Sequence, residues 1–285
     1  MQLNPDCMSC VKQLSRQSPV DDGLLDSFGA TPTGDGRWSA TIDPSWWGWS
    51  GPHGGAIAAL AVRVGADAAP DVSVRALDLR FVGKPDGGEL LLTPSVREVG
   101  RYTRIVDVSV TQAGVEVATA SVTAGRVGDA EITDVVDRIS GVPGPEGLAA
   151  FMIPPDIVPM GAHLDPRPVD GPLPLTGASE SWMRAWITTR TPMAVDAAYL
   201  ALLADCLPPA VFPTLTAPLA LPTVAFSMHV TAPLDDPTPA PVLVHARNTS
   251  TSGGWSVDDT SLRDRNGRLL ASARQSRRVL GWPTR

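Results

Sequence analysis

From residue 56 to 69 apolar residues recur at helical spacing. Ile57, Leu60, Ala61 and Val64 are separated mostly by alanines, and Pro70 ends the run. A helix that is apolar nearly all round has to be buried. On either side the period changes to alternation: residues 36–42 before the helix, then 72–82, 89–99, 104–111 and 115–124, the last two joined by Gln112-Ala113-Gly114. This predicts a strand, a long helix and a four-strand meander. The same order returns further on, with a strand over 181–189, an apolar helix over 194–206 halted by Pro208-Pro209, and strands over 223–230, 242–249, 254–263 and 268–280. Asn266-Gly267 is a strong turn signal, because both residues tolerate positive φ.

The halves also align residue by residue. At an offset of 153, Gly100 matches Gly253, Tyr102 matches Trp255, Gly114 matches Gly267, and Val117-Ala118-Thr119-Ala120 matches Leu270-Ala271-Ser272-Ala273. Val122 is matched by Gln275, a polar residue gained inside an apolar strand pattern, and such local rule-breaking tends to mark sites. Residues 141–175 hold nine prolines, which rules out a helix or a central strand there and predicts a connection laid over the surface. The expected organisation is an arm over 1–23, a unit over 24–127, a linker over 128–175 and a second unit over 176–285. A buried helix followed by antiparallel strands needs the sheet wrapped around it. That is the hot dog arrangement, and two copies in one chain predict an α+β double hot dog with one continuous sheet and both helices inside.

Composition narrows the function. The chain has 285 residues, 43% hydrophobic, enough for a full core. A net charge of -7 and the absence of any basic cluster longer than Arg277-Arg278 argue against nucleic acid. The longest apolar run is far short of the roughly 20 residues that span a bilayer, so no membrane span is expected. The polar residues 1–17 lack the apolar core of a secretory signal, which makes the cytoplasm the expected location. Three cysteines cannot make a paired framework, and Cys7-x-x-Cys10 has neither a second pair nor an adjoining βαβ pattern. With no metal cluster or phosphate loop in the sequence, no cofactor is expected.

Four segments, within a stretch running from Gly23 to Trp282, resemble the double hot dog acyl-CoA thioesterases, the family of bacterial thioesterase II. They are Trp49-x-Gly51-Pro52-His53-Gly54-Gly55, Leu200-x-Leu202-x-x-Asp205-x-x-Pro208, Pro222-Thr223-Val224-x-Phe226-Ser227-Met228 and Gly267-x-Leu269-Leu270-Ala271-Ser272-x-x-Gln275. The resemblance implies hydrolysis of a fatty acyl-CoA, with an Asp, a Thr or Ser and a Gln holding the water. These carry over to Asp205, Thr223 and Gln275, with Ser227 as the other candidate hydroxyl; Ala225-Phe226 stand where the bacterial enzyme has polar residues. It also implies acyl-CoA as the substrate, and a homo-oligomer is expected.

The residues themselves fit that chemistry. Thioester hydrolysis needs a water aimed at a carbonyl, a base or charge beside the water, and donors for the oxyanion. Asp205 follows an apolar helix, where desolvation would raise its pKa and make it a better base; the bland alternative is a capping or ion-paired carboxylate. Alternation puts Gln275 on the face of Ala271 and Ala273, where its amide would orient the water. His53 precedes Gly54-Gly55 at a helix start, where backbone N–H groups can receive a carbonyl oxygen, although the residue by itself favours a plain helix-entry role with no chemistry. Trp46, Trp47 and Trp49 either line an acyl tunnel or cap the core, and Trp49 joins His53, Gly54 and Gly55 as the substrate-binding candidates. Gly48-Trp49-Ser50-Gly51 lacks the spacing of a nucleophile elbow. No His has the nearby Asp of a hot dog hydratase. The remaining alternative is a non-catalytic acyl binder of the same fold.

Overall fold

The computed structural model describes residues 23–126, 135, 137–231, 234 and 241–281; the Cys7–Cys10 pair and the rest of the 1–22 segment lie outside the described residues. The first unit runs α1 (Gly23–Ser27), β1 (Ala30–Pro32), β2 (Trp38–Ala40), α2 (Gly54–Ala68), β3 (Ser73–Phe81), β4 (Leu90–Val99), β5 (Thr103–Gln112) and β6 (Val115–Gly125). Then follow β7 (Leu164–Asp170), β8 (Trp182–Thr189), α3 (Ala197–Ala204), β9 (Thr223–Val230), β10 (Val242–Ser252), β11 (Trp255–Arg263) and β12 (Leu269–Arg278). All twelve strands form one sheet in the order β1-β2-β4-β5-β6-β3-β9-β12-β11-β10-β8-β7. The order is a palindrome of equivalent strands. This is the double hot dog fold expected from the pattern.

The seam between units is the antiparallel pairing of β3 with β9, in which Asp78 faces Ser227 at its centre. Joining there removes the two open edges that separate units would leave. The seam also explains a departure from the predicted meander. β3 does not pair with β4; it lies on the far side of β6, so only β4, β5 and β6 run as a meander and β3 is free to meet its counterpart.

The proline-rich stretch does more than connect. Its residues 164–170 form β7, the outermost strand, and Met160 and Leu164 are buried in the core. Pro166 and Pro168 are tolerated because an edge strand has one unpaired side.

Helices α2 and α3 lie against each other in a single core. Gly55 permits their approach: a Cβ there would stand 2.8 Å from the Leu202 carbonyl oxygen. Gly65 in turn lies directly over Val122, with the same imaginary atom 2.8 Å from that side chain. The second helix is shorter than the expected 194–206, because Asp196 caps it by accepting from the Tyr199 N–H at 2.8 Å, and Cys206 is a buried free thiol just past its end.

The internal repeat also needs one adjustment. Val99 pairs with Thr103 across a three-residue link, whereas Ser252 pairs with Trp255 across two. Thr103, not Tyr102, is therefore the counterpart of Trp255, and Val106 that of Asp258, while Val122 and Gln275 keep the 153-residue offset in β6 and β12.

Candidate active site

The first turn of α2 and the end of α3 meet over β9 and β12. Gly54 and Gly55 open α2 after His53, and the first N–H groups of a helix have no partner within it. Asp205 is the C-cap residue of α3. Its Oδ2 hangs over Gly54, 2.9 Å from where a Cβ would be. Any larger residue at 54 would occupy that space.

β12 contributes Gln275 and Arg277, both turned inward by alternation with Ala271 and Ala273 and both buried. β9 contributes Thr223 by a less regular route. Ala225 pairs with Ser276 but Thr223 pairs with Arg277, so one extra residue bulges out at Val224 and turns Thr223 into the site. The first unit has the same irregularity, where Val74 pairs with Ala124 and Ala76 with Thr123.

These side chains form one network. Gln275 Nε2 donates to Asp205 Oδ1 at 2.6 Å and lies 3.5 Å from Thr223 Oγ1. Arg277 donates to Asp205 Oδ1 at 2.9 Å, to Gln275 Oε1 at 2.6 Å and to Thr223 Oγ1 at 2.8 Å. Its Nε donates to Asp258 Oδ2 at 3.2 Å. Asp258 is only 2% exposed and is itself held by Asn248 Nδ2 at 2.8 Å and the Ala210 N–H at 3.2 Å. Two carboxylates thus share one guanidinium, an arrangement that meets the rule that buried charges be paired and hydrogen-bonded. Ser227, the other candidate hydroxyl, faces Asp78 across the seam, and it is Thr223 that joins the network.

His53 Nε2 lies 3.0 Å from the Asp205 carbonyl oxygen and 3.4 Å from its Oδ2. A carbonyl can only accept, so Nε2 carries the proton and Nδ1, which is buried without a partner, is the bare acceptor. Burial pushes the His53 pKa down, against the opposing pull of Asp205. For Asp205 the outcome reverses the sequence expectation. Burial alone would raise it, but His53, Arg277 and the hydrogen bonds from Gln275 and Arg277 outweigh that, and the carboxyl is held below its ordinary value. It is an ionised acceptor, not a base tuned toward neutrality.

The tryptophans divide. Trp46 is buried, stacked on His163 at 4.0 Å and edge-on to Phe28. Trp47 donates from its ring to the Ile42 carbonyl at 3.3 Å, and its own carbonyl receives the Met160 N–H at 2.9 Å. Both serve the core. Trp49 packs edge-on to Phe212 beside Val211 and Leu221, in a small apolar cluster of its own near Arg277's neighbour Leu221.

Sequence reasoning did not single out Arg277, Asp258 or Asn248. The first had a usable signal: it is the next inward position after Gln275, and the 153-residue offset sets it against Ala124. Among the described residues no group of three or more His, Cys, Asp or Glu side chains is placed to hold a metal, and no helix is long and apolar enough to cross a membrane.

Residues 43–125 match the family described as the acyl-CoA thioesterase N-terminal domain, and residues 137–279 its C-terminal domain. Uncharacterised proteins of Mycobacterium tuberculosis and Mycobacterium bovis are each 32% identical to this chain over 129 residues, 43% of this chain and 42% of theirs, so the match spans less than half the length of these curated relatives. Among solved structures, a hot dog protein of unknown function from Alicyclobacillus acidocaldarius is similar with a TM-score of 0.81 at 22% identity, covering 92% of this chain and 99% of that one. The acyl-CoA thioesterase II TesB2 of Mycobacterium marinum is similar with a TM-score of 0.69 at 15% identity, over 91% and 99%. At those identities the two structures speak for the fold, and the domain matches for the family: the chain belongs to the acyl-CoA thioesterases.

Proposed function

We propose that this protein hydrolyses a fatty acyl-CoA to the free acid and CoA, at one site per chain, with a water held by the Asp205, Thr223 and Gln275 constellation. The observation that carries this reading is the convergence of those residues, from α3, β9 and β12, at the start of α2. The thioester carbonyl oxygen is received by the Gly54 and Gly55 amides, where helix geometry leaves N–H groups unpaired and the dipole favours negative charge. Asp205 accepts a water proton as the water oxygen bonds to the carbonyl carbon, and the amides stabilise the oxyanion. The C–S bond then breaks and the proton passes to the departing sulfur. An ionised Asp205 suits the accepting role over a wide pH range. The domain matches support the reaction class, and Trp49 with Phe212 supplies an apolar wall beside the site.

The test is release of free CoA thiol from acyl-CoAs of graded chain length by purified protein. Turnover that varies with chain length is the expected result. Saturable acyl-CoA binding without thiol release would replace hydrolysis with the acyl-binder alternative, and activity abolished by EDTA and restored by zinc would overturn the metal-free mechanism.

A further inference from the structure

Resting on the hydrolytic reading above, we propose that Arg277 is the positioning residue of the site: it fixes Gln275 and one oxygen of Asp205 as scaffold, and leaves Asp205 Oδ2 and the Thr223 hydroxyl hydrogen as the pair that holds the attacking water.

The division follows from counting donors and acceptors. A guanidinium has five N–H groups and no acceptor. Arg277 spends one on Asp258 Oδ2, two through Nη1 on Thr223 Oγ1 and the Leu221 carbonyl, the latter at 3.5 Å, and two through Nη2 on Asp205 Oδ1 and Gln275 Oε1. None is left for a substrate, so Arg277 acts through its neighbours. Because Gln275 Oε1 accepts from Arg277, the amide orientation is fixed and Nε2 must face Asp205 Oδ1 and Thr223 Oγ1. Both amide hydrogens are thereby spent, and the amide has no donor left for the water.

Thr223 Oγ1 has two acceptor positions, and these face Arg277 and Gln275. What remains is its own hydrogen, a donor. Asp205 Oδ1 likewise receives two donors, while Oδ2 lies over Gly54 beside the helix start. A water that gives one hydrogen to Asp205 Oδ2 and accepts from Thr223 keeps its second lone pair for the carbonyl carbon. The corresponding positions of the first unit, Val74, Val106, Val122 and Ala124, are all buried and apolar, so the backbone accommodates this place with no charge in it at all.

That template supplies the control. Arg277→Lys keeps a charge but cannot reach all five acceptors. The double variant Arg277→Ala/Asp258→Val removes both charges together and copies the first unit, avoiding an unpaired buried carboxylate at 258. Thiol release is measured for both, and for Gln275→Met alone and combined with Arg277→Lys, with near-UV circular dichroism checking the fold. Expected are a kcat lowered on the order of 10- to 100-fold in Arg277→Lys, as for other lost orienting partners, with KM within about twofold. Gln275→Met added to Arg277→Lys should cost less than about twofold more, because the amide is already released. In the double variant the acid limb of the kcat/KM profile should move to higher pH. The titratable and charged groups facing Asp205 are His53 from the entry to α2, Arg277 from β12 with Asp258 behind it on β11, and the neighbouring Cys206 thiol; only the Arg277–Asp258 pair changes. Native kcat and an unmoved profile in both Arg277 variants, or losses at 275 and 277 that simply multiply, would overturn the assignment. A wild-type protein that releases no thiol overturns the hydrolytic reading itself, an outcome read before any variant is made.

Discussion

The two units solve the same packing problem with opposite chemistry. Between α2 and the strands of the first unit, Val74, Val106, Val122 and Ala124 fill the space with carbon, and Gly65 settles onto Val122. At the equivalent positions of the second unit stand Thr223, Asp258, Gln275 and Arg277, and Asp205 reaches down where Gly65 sits in the first. Strand order and the bulge in β3 and β9 are shared, so the polar network cannot be an accident of backbone shape. The apolar version is the cheaper way to hold the fold, since buried ion pairs are commonly matched or beaten by well-packed apolar groups. A polar cluster kept in only one half is retained for what it does, and the single proposed site per chain follows from the asymmetry.

The comparison breaks most easily at Asp205, which has no counterpart on α2. Asp205→Asn should lower kcat by about 10²- to 10⁴-fold, the usual cost of losing the group that accepts a proton from water, with the thermal transition little changed. In the wild-type protein the acid limb of kcat/KM should fall below the ordinary carboxylate range, because the folded-state pKa of Asp205 is depressed. Near-normal turnover in Asp205→Asn would reassign the chemistry, with His53 the next residue to substitute.

Much of this was legible in the sequence, and what was not has identifiable causes. Periods of 3.6 and 2 gave the helices and most strands, and the duplicated pattern gave the shared sheet, because burial imposes those periods directly. Periodicity says nothing about which strand neighbours which, so the displacement of β3 to the seam was invisible. Prolines masked β7, which survives only because it is an edge. Gln275 could be placed on the inner face by alternation, whereas the inward turn of Thr223 depends on a bulge that no alternation rule anticipates. Arg277 reads as a solvated charge unless its strand parity is followed, and the depressed pKa of Asp205 depends on that residue, 72 positions away.

The helix pair tests how much the site depends on close approach. Gly55→Ala would set a methyl 2.8 Å from the Leu202 carbonyl and against the His53 ring, and backbone cannot yield as a flexible side chain does. Denaturant titration should show a loss of about 1–3 kcal/mol, the range for overpacking a core. Full stability would mean that α2 and α3 separate freely, which would remove the geometric basis for a site between them.

A smaller effect sharpens the contrast from the dry side. Val122→Thr keeps the side-chain shape but places a hydroxyl under Gly65, between Leu77 and Val106 on the neighbouring strands. With no acceptor side chain among these neighbours, the cost should be about 1–2 kcal/mol by denaturant titration, with kcat and KM for thiol release unchanged. A fall in turnover larger than the stability loss explains would mean that the first unit takes part in catalysis.

The smallest effect concerns how the two helices begin. Asp196 caps its own helix, whereas His53 makes no side-chain cap to α2 and instead donates to the carbonyl of Asp205 at the end of α3. Its folded-state pKa is lowered by burial. Below the unfolded value, about 6.5, the unfolded chain binds a proton that folded His53 resists, so stability is lost as pH falls from there toward the folded value. Burial lowers His163 and His245 in the same sense, so part of this loss will persist in any single variant. His53→Asn removes the titration but keeps a donor for the Asp205 carbonyl. Unfolding free energies measured at about pH 7.5 and 5.5 should therefore converge, with the variant losing less than the wild type as pH drops. A gap between the two proteins that stays constant across that interval would show that His53 takes up its proton in the folded state.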